Sequence, residues 1–263
     1  MSHMRATFRA VALCALTCAI CALWLACAAF VFASDEARAR LRRFIFRRWA
    51  KATAPLLGVK INAQGRPPRG AFFLVSNHLS YLDVVVFAAL TDCVFVAKSE
   101  VARWPVIGFL CRCVDTIFID REKRRDATRA GALIERALAR SQGVVLFAEG
   151  TSTQGARVLP FKPALLEQAA RAGFAVSYAA LSYRAPEGQP PAHLSICWWG
   201  EMTFLKHLFE MLHLSEVRAI VRFGAEAVRE EDRKTLASKL HRAVSREFIP
   251  VVGLGEECGA PVR

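Results

Sequence analysis

The chain has 263 residues, 54% of them hydrophobic, a net charge of +13 and a mean hydropathy of +0.27. That is too apolar for a disordered chain and long enough to bury one full core with appendages. The charge asks for an anionic partner, nucleic acid or anionic lipid, and the hydropathy directs attention first to a membrane segment.

Residues 1 to 4, "MSHM", resemble an expression remnant and carry no argument. From Ala10 to Ala33 run 24 residues without a charge, enough to cross a bilayer as a helix. "FVFAS" offers a small-residue cleavage site, but a signal core is shorter and the flank that follows is basic. A retained membrane anchor over 1–33 is therefore expected. Next comes "SDEARARLRRFIFRRWAK", with seven basic residues against two acidic. Leu41, Ile45, Trp49, Ala52 and Leu56 recur there at helical spacing, which predicts a basic amphipathic interfacial helix over 34–57. The competing reading is an ordinary docked helix with a solvated basic face. Basic charge beside a span marks the cytoplasmic side, so the domain is expected at the cell inner membrane, facing the cytoplasm.

A domain over 58–263 follows. Strand candidates are 71–76, 93–97, 115–119, 143–147, 174–183, 193–199 and 217–223; helix candidates are 81–90, 126–141, 162–172, 204–213 and 230–247. The alternation predicts an α/β fold with a mixed, largely parallel central sheet flanked by helices. Four of the nine cysteines lie in the apolar segment, and the remaining five lack zinc-ligand spacing, which points to reduced thiols and no metal.

In such sheets reactive groups gather where strands end and helices begin. "VSNHLSYLDVVVF" (75–87) is such a junction, with His78 and Asp83 five positions apart. On a continuous helix they would diverge by about 140°. If the helix begins near Ser80 or Tyr81, the imidazole can fold back onto the carboxylate and become a general base for a hydroxyl. The plainer alternative is a helix cap beside a satisfied histidine. A second strand ends in "LFAEGTSTQG" (146–155), where Glu149, Gly150 and Thr151 let backbone N–H groups approach a ligand; a simple polar turn is the alternative.

Together these motifs resemble the glycerophospholipid acyltransferases of the lysophosphatidate acyltransferase type. The family's Asn-His, four residues, Asp motif matches Asn77, His78 and Asp83. A second motif resembles Lys98, Glu100, Pro105 and Gly108, then Ile119, Asp120 and Arg121, and a third corresponds to "FAEGTST". The resemblance runs from about residue 58 to 248. It implies His78 and Asp83 as the catalytic pair, acting between an acyl thioester, of acyl carrier protein or coenzyme A, and a lyso-lipid hydroxyl in the membrane. No cofactor or metal is implied. Glu149, Gly150, Thr151, Lys98 and Arg121 would bind substrate.

This sequence departs from the family at Ser152, where many members carry an arginine thought to hold the acceptor phosphate. Ala148 also replaces the usual proline. Lysophosphatidate comes first as acceptor, and a lyso-ornithine lipid is the alternative. Around 197–214, Trp198, Trp199, Phe204, Leu205, Leu208, Phe209 and Leu212 make an aromatic, amphipathic element, either interfacial or covering the sheet. A non-catalytic lipid-binding scaffold would not need His78, and no nucleic-acid recognition motif accompanies the charge.

Overall fold

The structure is a computed structural model that describes residues 2–30, 34–120 and 124–252. It opens with helices α1 (Ser2–Phe30) and α2 (Asp35–Leu56). They pair antiparallel: Trp49 Nε1 donates to Thr17 Oγ1 at 3.1 Å, and the Arg42 guanidinium lies 4.9 Å from the Trp24 ring centroid. One stretch of α1, Ser2–Cys27, is long and apolar enough to cross a membrane. Its first turns are nevertheless held to the domain. Arg9 donates to the carbonyls of Leu212 (3.3 Å), Leu214 (2.6 Å) and Ser215 (3.2 Å), and Arg5 to that of His213.

Ser34 caps α2 by accepting from Ala37 N at 3.0 Å, with Asp35 and Glu36 in the first turn where the helix dipole favours them. α2 is docked. Ile45, Phe46, Ala50, Thr53 and Ala54 are buried, Arg43 pairs with Asp92 at 3.3 Å, and Arg42 pairs with Asp115. Of the stripe read from the sequence only Ile45 is fully buried, while Leu41, Trp49 and Leu56 are half-buried and Ala52 is exposed. The helix has two neighbours, α1 and the domain, and its apolar residues are divided between them.

Seven strands form one sheet: β1 (Val59–Gln64), β2 (Phe72–Ser76), β3 (Cys93–Lys98), β4 (Ile117–Ile119), β5 (Gly143–Phe147), β6 (Val176–Arg184) and β7 (Val217–Phe223). Their order is β1-β7-β6-β2-β5-β3-β4, and β6–β7 is the antiparallel pair in an otherwise parallel sheet. The connecting helices are α3 (Leu82–Leu90), α4 (Ile107–Cys113), α5 (Arg124–Ala139), α6 (Pro163–Arg171), α7 (Ala192–Ser195), α8 (Phe204–Leu212) and α9 (Arg233–Glu247). Every residue of β2 and β5 is buried, as a parallel strand covered on both faces requires. Phe72, Leu74, Phe95, Val145, Phe147, Leu181 and Tyr183 pack towards α2, α3 and α8. Phe73, Val75, Val94, Val144, Leu146 and Ala180 pack towards α5, α6 and α9. Each fully buried side chain of this size contributes roughly 1.5–3 kcal/mol.

The α/β expectation holds, with three local differences. β1 was not anticipated: "VKINAQ" is an edge strand with one buried residue, so it shows little apolar alternation. The expected strand 193–199 is instead α7 and a loop, begun after Pro190 and Pro191, whose fixed φ suits a helix start. α4 and the 3₁₀ turn Ser99–Arg103 before it are not among the helix candidates.

Candidate active site

β2, at the centre of the sheet, ends at Ser76, and the next residue continues its seam with β6 through a side chain. Asn77 Nδ2 donates to the Leu181 carbonyl at 2.9 Å, and Asn77 Oδ1 accepts from Leu181 N at 2.8 Å. The amide thus replaces one rung of backbone pairing and releases the chain into the turn 78–81. α3 begins only at Leu82, so the helical angle between His78 and Asp83 does not apply.

His78 Nδ1 and Asp83 Oδ2 are 2.7 Å apart. The same oxygen accepts from Leu79 N at 2.7 Å and Ser80 N at 3.2 Å, while Oδ1 accepts from the Tyr183 hydroxyl at 2.8 Å. Asp83 is 0% exposed, and four donors converge on it. A carboxylate only accepts, so the imidazole proton lies on Nδ1 and the lone pair on Nε2. The ring also stacks on Phe147, centroids 4.2 Å apart and planes at 12°. Such an imidazole is oriented, tautomerically fixed and able to take a proton from a hydroxyl at Nε2.

The end of β5 lies beside it, and Glu149 joins the two loops. Its Oε1 accepts from His78 N at 2.7 Å and its Oε2 from Leu159 N at 2.9 Å. Burial pushes the Glu149 carboxyl up to about 7, against the two backbone bonds that favour its charged form. Gly150, at φ 77°, makes the sharp turn that follows, and Thr153 N donates to the His78 carbonyl at 3.0 Å. Thr151 is exposed and Ser152 half-buried beyond the turn. Among the described residues no cluster of three or more His, Cys, Asp or Glu is arranged to hold a metal.

The structure therefore brings together His78, Asp83, Glu149 and Gly150, with Thr151 next to them. Lys98 stands at the end of β3, level with Asn77 but two strands away, roughly 10 Å at ordinary strand spacing. Alternation along β3 directs it to the sheet face opposite Phe147. Arg121 lies outside the described residues. Sequence reasoning missed Tyr183 and the stacking role of Phe147. The available signal was Tyr183 in an apolar strand, since a buried tyrosine hydroxyl seeks a partner.

A family model described as Acyltransferase matches residues 59–182. Over 220 residues the chain is 34% identical to the lyso-ornithine lipid O-acyltransferase of Brucella abortus (strain 2308), covering 79% of this chain and 82% of that protein. The chain belongs to the acyltransferase family. It is also 34% identical over 184 residues to the 1-acyl-sn-glycerol-3-phosphate acyltransferase of Neisseria meningitidis serogroup B, covering 68% of this chain and 71% of that one. The crystal structure of the 1-acyl-sn-glycerophosphate acyltransferase from Thermotoga maritima shares the fold, with a TM-score of 0.64 at 18% identity over 94% of this chain and 97% of that one. This acyltransferase is an enzyme of lipid metabolism associated with membranes, and its apolar α1 fits that setting.

Proposed function

We propose that this acyltransferase moves an acyl chain from a thioester, of acyl carrier protein or coenzyme A, to the hydroxyl of a lyso-lipid. The observation that carries the reading is the 2.7 Å contact of His78 Nδ1 with a four-donor, fully buried Asp83. The acceptor O–H gives its proton to His78 Nε2 as its oxygen attacks the thioester carbonyl. The tetrahedral intermediate collapses, the C–S bond breaks, and the imidazolium returns the proton to the leaving thiolate. The acyl chain arrives activated, so the step needs no metal or cofactor. Glu149 acts as a positioning residue through the His78 backbone, while Gly150 and Thr151 line the acceptor side. Arg121 is assigned to an anionic group of the substrates, and Lys98, on the sheet face opposite Phe147, is left out of the site. The enzyme sits at the cytoplasmic face of the inner membrane, with the basic excess of α2 on that side.

The first acceptor is 1-acyl-sn-glycerol-3-phosphate. A second reading, a lyso-ornithine lipid, is favoured by Ser152, which offers a phosphate no charge, and by the likeness to the Brucella protein. The test is purified full-length protein offered both lyso-lipids with labelled acyl carrier protein and labelled coenzyme A. A diacyl product that disappears in His78→Ala supports the reading. Product from neither acceptor with either donor overturns it.

A further inference from the structure

α8 has two unlike sides. Inward, His207 Nδ1 lies 3.0 Å from the Tyr81 hydroxyl, which also donates to Met211 Sδ at 3.8 Å. Tyr81 is three residues from His78, so α8 is bonded directly to the loop that carries the imidazole. Outward, Leu205 is 72% exposed and Phe209 45%. Among the described residues none covers Leu205.

A second apolar projection stands beside it. Pro105–Ile107 forms a γ-turn closed by Ile107 N to the Pro105 carbonyl at 2.6 Å, with Val106 at φ 61°. Val106 is 68% exposed, and Phe109 and Trp104 are exposed with it. Gly108 permits this tight loop, because a Cβ there would stand 2.3 Å from the Ala102 carbonyl oxygen. The two projections meet through aromatic rings: Trp104 to Trp198 at 6.0 Å, Trp198 to Phe204 at 6.3 Å, and Tyr81 to Phe204 at 4.9 Å. Trp198 N also donates to the Leu79 carbonyl at 2.8 Å, which fastens this rim to the turn that follows His78.

What covers the rim is indicated by its continuity with α1. Arg9 holds α1 to the carbonyls that end α8, and Arg5 donates to that of His213, whose ring packs on Phe209 of α8 with centroids 4.8 Å apart. Phe8 and Val11 of α1 are exposed, so the apolar surface runs from the membrane helix onto α8. We propose that Leu205 and Phe209 of α8, with Trp104, Val106 and Phe109, form a bilayer-docking rim that seats the mouth of the His78 site in the lipid interface. Aromatic and aliphatic side chains at the level of the headgroups are the chemistry such a surface uses. Docking would bring an acceptor to His78 without drawing its chain through water. The inference rests on the reading that the acceptor is a bilayer lipid.

The test uses the full chain with phosphatidylglycerol–phosphatidylethanolamine vesicles whose acyl chains carry bromine, a contact quencher of tryptophan. The readout is the quenching lost on Trp104→Phe, which isolates Trp104 from Trp24 on α1. The expected result is clear quenching of Trp104, removed in Leu205→Glu/Phe209→Glu, with that variant's circular dichroism unchanged and at least a tenfold lower rate on acceptor embedded in vesicles. An unquenched Trp104 in vesicle-bound protein overturns the rim, as does a sedimentation shift to a dimer that Leu205→Glu/Phe209→Glu abolishes. A quenched Trp104 in a protein that acylates neither acceptor would sink the proposed function and leave the rim. Acylation in vesicles with Trp104 unquenched would do the reverse.

Discussion

The two sides of the candidate site are built differently. On the side of the base, the groups that hold His78 have named partners: four donors on Asp83, two on Glu149, and the Asn77 amide bonded to β6. On the acceptor side, Thr151 is exposed, Ser152 is half-buried, and Arg157 and Lys162 point into solvent. The base side is over-determined, which preorganises a proton transfer. The side proposed for the acceptor is open to solvent.

The largest expected effect is at the base. His78→Ala should lower turnover by about 10²–10⁴-fold or more while circular dichroism and membrane recovery stay as in the parent. Activity within a few-fold of the parent would erase the contrast between the two sides. Asp83→Asn comes next, because an amide presents donors where Leu79 N, Ser80 N, His78 Nδ1 and the Tyr183 hydroxyl already donate. It should lose most activity, and thermal melting should register a lower stability of about 1–3 kcal/mol.

Glu149 sharpens the comparison through pH. Its folded carboxyl titrates near 7 against an ordinary 4.5, so between those values the folded protein holds a proton the unfolded chain has released. Stability contributed by this group is therefore full below pH 4.5, falls as pH rises through that window, and is level above it. Denaturation titrations at pH 5 and 7.5 should show that decline in the parent, and Glu149→Gln should flatten it. Tyr183→Phe should be milder than Asp83→Asn, since one of four donors is lost. A drop of about 0.5–1.5 kcal/mol in unfolding free energy is expected, with a smaller fall in rate than in His78→Ala.

The smallest effects belong to the acceptor side. Ser152→Arg should lower KM for lysophosphatidate by roughly tenfold, the low end of what a charge-assisted contact of about 1.5–3 kcal/mol allows. It should impair a lyso-ornithine acceptor. Arg157→Ala or Lys162→Ala should raise KM for the phosphate-bearing acceptor alone if either cation substitutes for the missing arginine. Steady-state kinetics on both lipids read all three variants.

Much of this enzyme was legible in its sequence because it is encoded locally. Alternating apolar runs and helical periods set the α/β order, and a polar turn between a buried strand and an apolar helix located His78 and Asp83. Likewise a glycine after a strand marked the turn at Gly150. What only the tertiary structure decided are contacts between groups far apart in the chain. Tyr183 reaches Asp83 across 100 residues, and Glu149 reaches the His78 backbone across 71. Arg9 ties the apolar helix to a carbonyl 205 residues away. Periodicity reports which face of an element is apolar; it does not report what that face meets. For that reason α2 has its stripe divided between two neighbours, α7 replaces an expected strand, and α8 presents one face to the catalytic loop and the other outward.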